Sequence, residues 1–280
     1  MTKEFDIVVH GATGFTGRLI AEYLLTRTDT GLKWAMGGRS MEKLQAVRDE
    51  IGAPTSTPLV VIESSDEASL KSLMSKTRLV ISAVGPYQLY GNELVKACAE
   101  SGVDYVDLCG EPAWMRHMID QHQSTAEKSG ARLVFSCGFD SSPFDLGVFM
   151  AQDEMTKRFG KPAQRVRGRV RKMKGTFSGG TAASFKATMA AAATQPGVID
   201  LLKNPFSLTP GFEGPRQPAG HKPMLDEVMG VWVAPFIMAT INTRNVHRSN
   251  FLLNHAWGSD FAYDEMIVTG PGEKGEAIAN

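Results

Sequence analysis

The chain has 280 residues, 42% of them hydrophobic, and its 30 Lys+Arg are balanced by 30 Asp+Glu. That length allows one large or two modest domains, and the charge balance points away from nucleic acid and from acidic substrates. Lys3, Glu4 and Asp6 interrupt any early leader, and the longest apolar stretch, VWVAPFIMATI at 231–241, is too short to span a bilayer. Cys98, Cys109 and Cys137 show no CxxC or metal-like spacing, and neither do the six histidines. No metal is expected, and a reducing cytoplasm is the expected setting. Residues 1–145 carry 14 basic and 19 acidic groups, and 146–280 carry 16 and 11, which fits two domains of different character.

The first half alternates strand-like and helix-like segments. Residues 5–10 are β-rich, and Phe15, Leu19, Ile20, Tyr23 and Leu24 then keep helical spacing. A second strand is predicted at 32–36, with Ser40 capping the charged helix that follows. A third falls at 59–62, with Asp66 capping a helix through 74, and a fourth at 79–82, before a helix around Leu94, Val95 and Cys98. Strands at 105–108 and 133–135 flank a helix over 113–129. Six short apolar strands joined by helices predict a Rossmann-type, doubly wound parallel sheet over residues 1–140.

The second half predicts a helix at 143–159, then Arg165, Arg167, Arg169 and Arg171 alternating along a half-exposed strand. A small-residue helix at 182–193 and a Pro/Gly-rich connection at 204–223 follow, then a helix at 236–253 and a strand at 261–268. An α+β domain over 141–280 is expected to supply substrate contacts and the surface of a homodimer. The final GEKGEAIAN offers no obvious terminal element, so a C-terminally shortened chain is expected.

The chemistry starts at GATGFTG. Gly11, Ala12, Thr13, Gly14, Phe15, Thr16 and Gly17 lie between the first strand and first helix, where backbone N–H groups and close approach favour a pyrophosphate. The spacing is GxxGxxG, and no GK[ST] follows, which disfavours nucleotide hydrolysis. An NAD site places an acid at the end of the second strand. Here the sequence reads GGRS, and Arg39, Ser40 and Lys43 predict a pocket for the 2′-phosphate of NADP instead. The fourth strand runs into Ala83, Val84, Gly85, Pro86 and Tyr87, a segment expected to face the nicotinamide, with Tyr87 either lining the cofactor or packing as a buried aromatic.

Short-chain dehydrogenase catalysis needs a lysine four residues after a tyrosine. Arg27, Gly91, Leu94, Cys109 and Ile267 occupy those places, which excludes it. Cys137 is the candidate for a cysteine nucleophile, and plain packing is its alternative. Tyr105, Asp107 and Glu111 either order the cleft or form a structural polar network. Asp140 caps the following helix or faces substrate. The arginine stripe is a solvated or subunit face, or meets an anionic thioester carrier or lipid head group. TFSGGT at 176–181 reads as a loop closing over substrate or a simple turn.

GATGFTG, GGRS, SAVGPYQLYG, YVDLCGE and CGFDSSPFDLG occur in the order and at the spacing of saccharopine dehydrogenase-like oxidoreductases, and the chain most resembles their trans-acting enoyl reductase group. The resemblance implies NADP, with Gly11, Thr13, Gly14, Phe15 and Thr16 at the pyrophosphate and Arg39 and Ser40 at the adenosine phosphate. It also implies Ala83 to Gly85 near the nicotinamide ribose and Gly138, Phe139 and Asp140 near the nicotinamide. The CGFDSSPFDLG stretch has one residue more than its saccharopine-reductase counterpart and lacks that counterpart's histidine. The expected reaction is hydride transfer to an enoyl or keto group of a small-molecule or lipid-linked substrate, with peripheral membrane contact. Reductive amination of an amino-acid derivative and a non-catalytic cofactor-binding role are the alternatives.

Overall fold

The computed structural model describes residues 3–27, 31–174 and 179–280. The elements run β1 (Phe5–His10), α1 (Phe15–Leu25), β2 (Trp34–Gly38), α2 (Met41–Glu50), β3 (Leu59–Val61), α3 (Glu67–Lys76), β4 (Thr77–Ser82), α4 (Tyr87–Tyr90), α5 (Asn92–Ser101), β5 (Asp104–Asp107), α6 (Pro112–Ser129) and β6 (Leu133–Val134). There follow α7 (Ser142–Phe159), β7 (Arg165–Val170), α8 (Gly179–Thr194), α9 (Val198–Lys203), β8 (Met224–Asp226), β9 (Val231–Pro235), α10 (Ala239–Leu252), β10 (Ala262–Gly270) and α11 (Gly272–Ala279). The described residues divide into two compact units. One takes the chain through Cys137 and regains residues 179–190 from α8; the other holds 138–174 and 191–280.

The first unit is a six-stranded sheet in the order β3-β2-β1-β4-β5-β6, with every pairing parallel. Buried on both faces, such strands must be apolar throughout, and Val8, Val9, Ala35, Met36 and Val80 have no exposed surface. Local signals start and stop the helices. The Ser40 hydroxyl accepts from the Lys43 N–H, and the Asp66 carboxylate accepts from the N–H groups of Ala68 and Ser69. Gly102 and Gly130 end α5 and α6 in the left-handed region. His10, at the end of β1, stands opposite Gly37 of β2 and Ser82 of β4. The strand order reverses between β1 and β4, the place where ligands bind in open α/β sheets.

The second unit is built on a four-stranded sheet, β7-β10-β9-β8, parallel at β7/β10 and antiparallel elsewhere. Its core joins Val148 of α7, Val246 of α10, Trp257, Phe261 and Tyr263. The apolar run at 231–241 is divided: β9 takes its β-branched and aromatic start and ends at Pro235, and α10 begins only at Ala239. The C-terminal stretch is a correction to the expectation of no terminal element, because it folds as α11. Gly275 lies so close to Gly270 that a side chain there would meet the turn.

The arginine stripe is also corrected. Arg165 pairs with Asp264 at 2.8 Å, Arg169 with both Asp226 and Asp264 at 2.7 Å, and Arg167 reaches Asp226 at 3.4 Å. Both aspartates are buried. Three of the four cations are thus committed to internal carboxylates rather than offered to a lipid or carrier. Of the TFSGGT stretch, residues 176–178 lie outside the described residues, and Gly179 to Thr181 form the first turn of α8.

Candidate cofactor site

The three glycines of the loop are there for different physical reasons. Gly11 has φ +89°, and a Cβ there would sit 2.7 Å from Val84 Cγ2. Gly17 lies where α1 crosses the loop, and a Cβ would fall 2.6 Å from the Gly11 carbonyl carbon and 2.9 Å from Ala12 Cα. Gly14 is the N-cap of α1, with ordinary φ −86° and only an unstrained 3.4 Å neighbour for a Cβ. The fold itself therefore demands glycine at 11 and 17 but not at 14. No side chain caps α1, and its first turn holds no acid. The N-terminus of the helix remains electropositive and suited to an anion.

A cleft of about 660 Å³ opens over this turn, within the usual range of ligand sites. His10, Gly11, Thr13 and Gly14 form one side, and Gly38 and Arg39 an end. Ala83, Val84 and Gly85 form the opposite side. Arg39 is exposed, and among the described residues it makes no hydrogen bond or ion pair. His10 is buried beneath, its Nε2 2.9 Å from Ser64 Oγ and its Nδ1 without a protein partner. Burial, and then the Arg39 charge, lower its pKa to about 4, so the ring is neutral and Arg39 supplies the positive charge at this end. An uncapped helix N-terminus, a loop crest without side chain and an uncommitted guanidinium are the features a dinucleotide phosphate requires.

The remaining expected cofactor residues are placed as follows. Ala12 is fully buried and serves packing. Phe15 is 66% exposed and Thr16 half-buried, both in the first turn of α1. Ser40 spends its acceptor on the α2 cap, and the exposed Lys43 contributes the capped N–H. Gly138 and Phe139 belong to the second unit, with Phe139 91% exposed. Leu89, Tyr90, Asn92, Glu93 and the 63–65 segment line the cleft without having been expected from sequence. Tyr90 stands three residues after Tyr87 in SAVGPYQLYG, one helical turn on, and is 52% exposed.

Tyr87 requires a correction, both as a cofactor-lining residue and as a catalytic candidate. It is buried, its ring lies 5.5 Å from that of Trp114, and its hydroxyl donates to the Ser82 carbonyl at 3.0 Å. Burial pushes its phenol well up, and the nearby Asp107 adds to this, so it is no proton donor near neutrality. Cys137 is exposed, and its Sγ lies 3.5 Å from the Val134 carbonyl oxygen. Asp140 does not cap α7, whose N-cap is Ser141; its carbonyl accepts from Asn242 at 2.9 Å.

Below the 83–87 turn lies a buried polar network. Glu111 accepts from the N–H groups of Tyr87 and Gln88 at 3.0 Å and from the Ser184 hydroxyl of α8 at 2.7 Å. Asp107 accepts from the N–H groups of Cys109 and Ser136 and from the Tyr105 hydroxyl, each at 2.9 Å. Burial raises the Asp107 pKa to about 7 despite these donors. The folded state therefore holds a proton that the unfolded chain releases above the ordinary value near 4. The stability this confers is complete below that value and is lost as pH rises through 7.

His10 and His247, lowered to about 4, act in the opposite sense. A comparison of variants isolates the carboxylate. Asp107→Asn keeps both N–H acceptors on Oδ1 and should gain on the wild type by on the order of 2–3 kcal/mol between pH 5 and pH 8. Urea unfolding at the two pH values measures this, and a constant difference would refute it.

Residues 7–134 match the family model of the saccharopine dehydrogenase NADP binding domain. A Mycobacterium tuberculosis protein provisionally named a trans-acting enoyl reductase is 40% identical over 96% of this chain and 66% of its own length. A trans-acting enoyl reductase of Mycobacterium ulcerans is 37% identical over the same shares. The chain thus spans slightly less than two thirds of these relatives. Among solved structures, saccharopine dehydrogenase (L-Glu forming) from Saccharomyces cerevisiae shares 15% identity over 55% of this chain and 32% of that one, with a TM-score of 0.40. With the sequence relatives alone carrying the assignment, the chain belongs to the saccharopine dehydrogenase-like oxidoreductases, in their trans-acting enoyl reductase group.

Proposed function

We propose that this chain is an NADP(H)-dependent oxidoreductase that delivers hydride to an enoyl or keto group, with a lipid-linked substrate as the favoured class. The names of its relatives support the reaction type, and the observation that carries the cofactor choice is the uncommitted Arg39 at the end of β2, where an NAD site would hold an acid. Bound NADPH supplies hydride from its nicotinamide C4. The N–H groups of residues 15–17 would hold the pyrophosphate, and Gly14 would let it approach the backbone, its own N–H being given to the Gly11 carbonyl. Arg39, with the Ser40 hydroxyl and the Lys43 ammonium, would hold the 2′-phosphate. Ala83, Val84 and Gly85 border the nicotinamide ribose, with the turn held from below by Glu111. The exposed Tyr90 lines the same cleft, a place Tyr87 is too buried to take.

Residues 1–140 act in this reading as the cofactor domain, and 141–280 supply substrate contacts and a homodimer surface. Leu146 and Met150 of α7, 59% and 70% exposed, suit such a contact or a membrane periphery.

Arg39→Ala is expected to weaken NADPH roughly 10- to 100-fold, the worth of a charge-assisted phosphate contact, and to leave NADH nearly unchanged. Fluorescence titration of both cofactors reads this out. Equal losses, or tighter NADH than NADPH binding by the wild type, would overturn the assignment.

A further inference from the structure

The second unit contains a cavity of its own, about 920 Å³, walled by α10, the 204–206 and 213–221 segments and β10. Pro205, Phe206, Phe236 and Ile237 make much of its surface apolar. Arg244 lines it, 6% exposed, and is a buried cation without a counter-charge. Its Nε donates to Ser207 Oγ at 3.2 Å, and its two Nη atoms donate to the carbonyls of Thr240 and Leu202. These three neutral acceptors leave two of its five N–H groups to spare.

Two of the three carboxylates that line the cavity are committed elsewhere, and the third, Glu213, is exposed. Asp264 is held by Arg165 and Arg169, and Glu265 by Asn242 and Tyr263. Among the described residues no acid pairs with Arg244. Burial lowers even this guanidinium, to about 10, a sign of how poorly its charge is compensated. One turn on, His247 packs its ring 4.6 Å from Phe206, and burial, with Arg244 beside it, brings its pKa down to about 4. It is therefore neutral and competes for no anion. Its Nε2 also has no protein partner.

A buried, unpaired charge is costly, and the usual remedy is an opposite charge with hydrogen bonds. We infer that this cavity binds a carboxylate-bearing apolar molecule, its head on Arg244 and its chain against Phe206, Phe236 and Ile237. The site is independent of the cofactor assignment, because every residue it uses lies in the second unit.

Octanoate and octanol share a chain and differ in the head, so calorimetric titration of the 280-residue chain with each separates anchoring from greasiness. Octanoate should bind at least tenfold more tightly than octanol, and Arg244→Gln should remove that preference. Arg244 also ties α10 to Leu202, so Thr240→Trp serves as a second variant. Thr240 is an exposed wall residue, and the indole fills the cavity with Arg244 intact. It should abolish binding of octanoate. Both variants should bind NADPH as the wild type does, which keeps a failure here distinct from a failure at Arg39. Equal affinity for octanoate and octanol, no octanoate binding, or octanoate binding undiminished in either variant would overturn the proposal.

Discussion

Gly17→Ala should lower the melting transition of the first unit by roughly 6–12 °C, whereas Gly14→Ala, three residues earlier, should leave it within about 1 °C. The added methyl at 17 falls on the carbonyl of Gly11 and the Cα of Ala12. Both are backbone atoms of the turn, fixed by hydrogen bonds from the N–H groups of Gly11 and Ala12 to the Gly37 carbonyl at 2.9 and 3.0 Å. Neither can swing away as a flexible side chain would, so α1 must lift from the sheet. Overpacking of this kind costs about 3 kcal/mol or more, which in a domain of this size corresponds to that temperature shift. At 14 the new methyl meets only an ordinary 3.4 Å neighbour, and φ −86° suits alanine. Its effect should appear in ligand binding, as an NADPH dissociation constant raised about tenfold, or about 1.4 kcal/mol. Calorimetric melting with and without NADPH separates the two variants. A destabilised Gly14→Ala would assign that glycine to the fold and deprive the loop crest of its cofactor role.

The contrast also explains what sequence could and could not disclose. Alternation of apolar strand and helix reports on the chain's own neighbours, and both β1 and the caps at Ser40 and Asp66 are local features. The reasons for the individual glycines are long-range, because Gly11 is pressed by Val84, more than seventy residues away. Tyr87 reads equally as a cleft residue or a core residue until Trp114 and the Ser82 carbonyl are seen to enclose it. The arginine stripe shows four cations in seven residues, but the acids that neutralise it come from 226 and 264. The strands β8 and β9 and the helix α11 carry weak local patterns and are fixed by pairing and by the Gly270–Gly275 contact. The position of Arg39, just past the end of β2, is one that the sheet topology defines.

Glu111→Ala should cost about 3–5 kcal/mol of stability and, in addition, weaken NADPH. Glu111 is 2% exposed, and its two oxygens receive three donors: the N–H groups of Tyr87 and Gln88 and the hydroxyl of Ser184. The first two open α4, whose Pro86 N-cap contributes no side-chain hydrogen bond, so the carboxylate takes the place of a capping residue. Alanine leaves buried donors unpaired, each at about 1–3 kcal/mol and less than additive. The same donors fix the turn after β4 that walls the cleft at Ala83 to Gly85 and tie it, through Ser184, to α8. A purely structural glutamate would lower stability and leave the affinity of the folded fraction unchanged. If the carboxylate positions the turn, the NADPH dissociation constant should rise several-fold at temperatures where the variant is fully folded. Glu111→Gln retains one carbonyl acceptor and should fall between wild type and alanine on both measures. If Glu111→Gln matches alanine in binding but wild type in stability, the charge itself orders the turn.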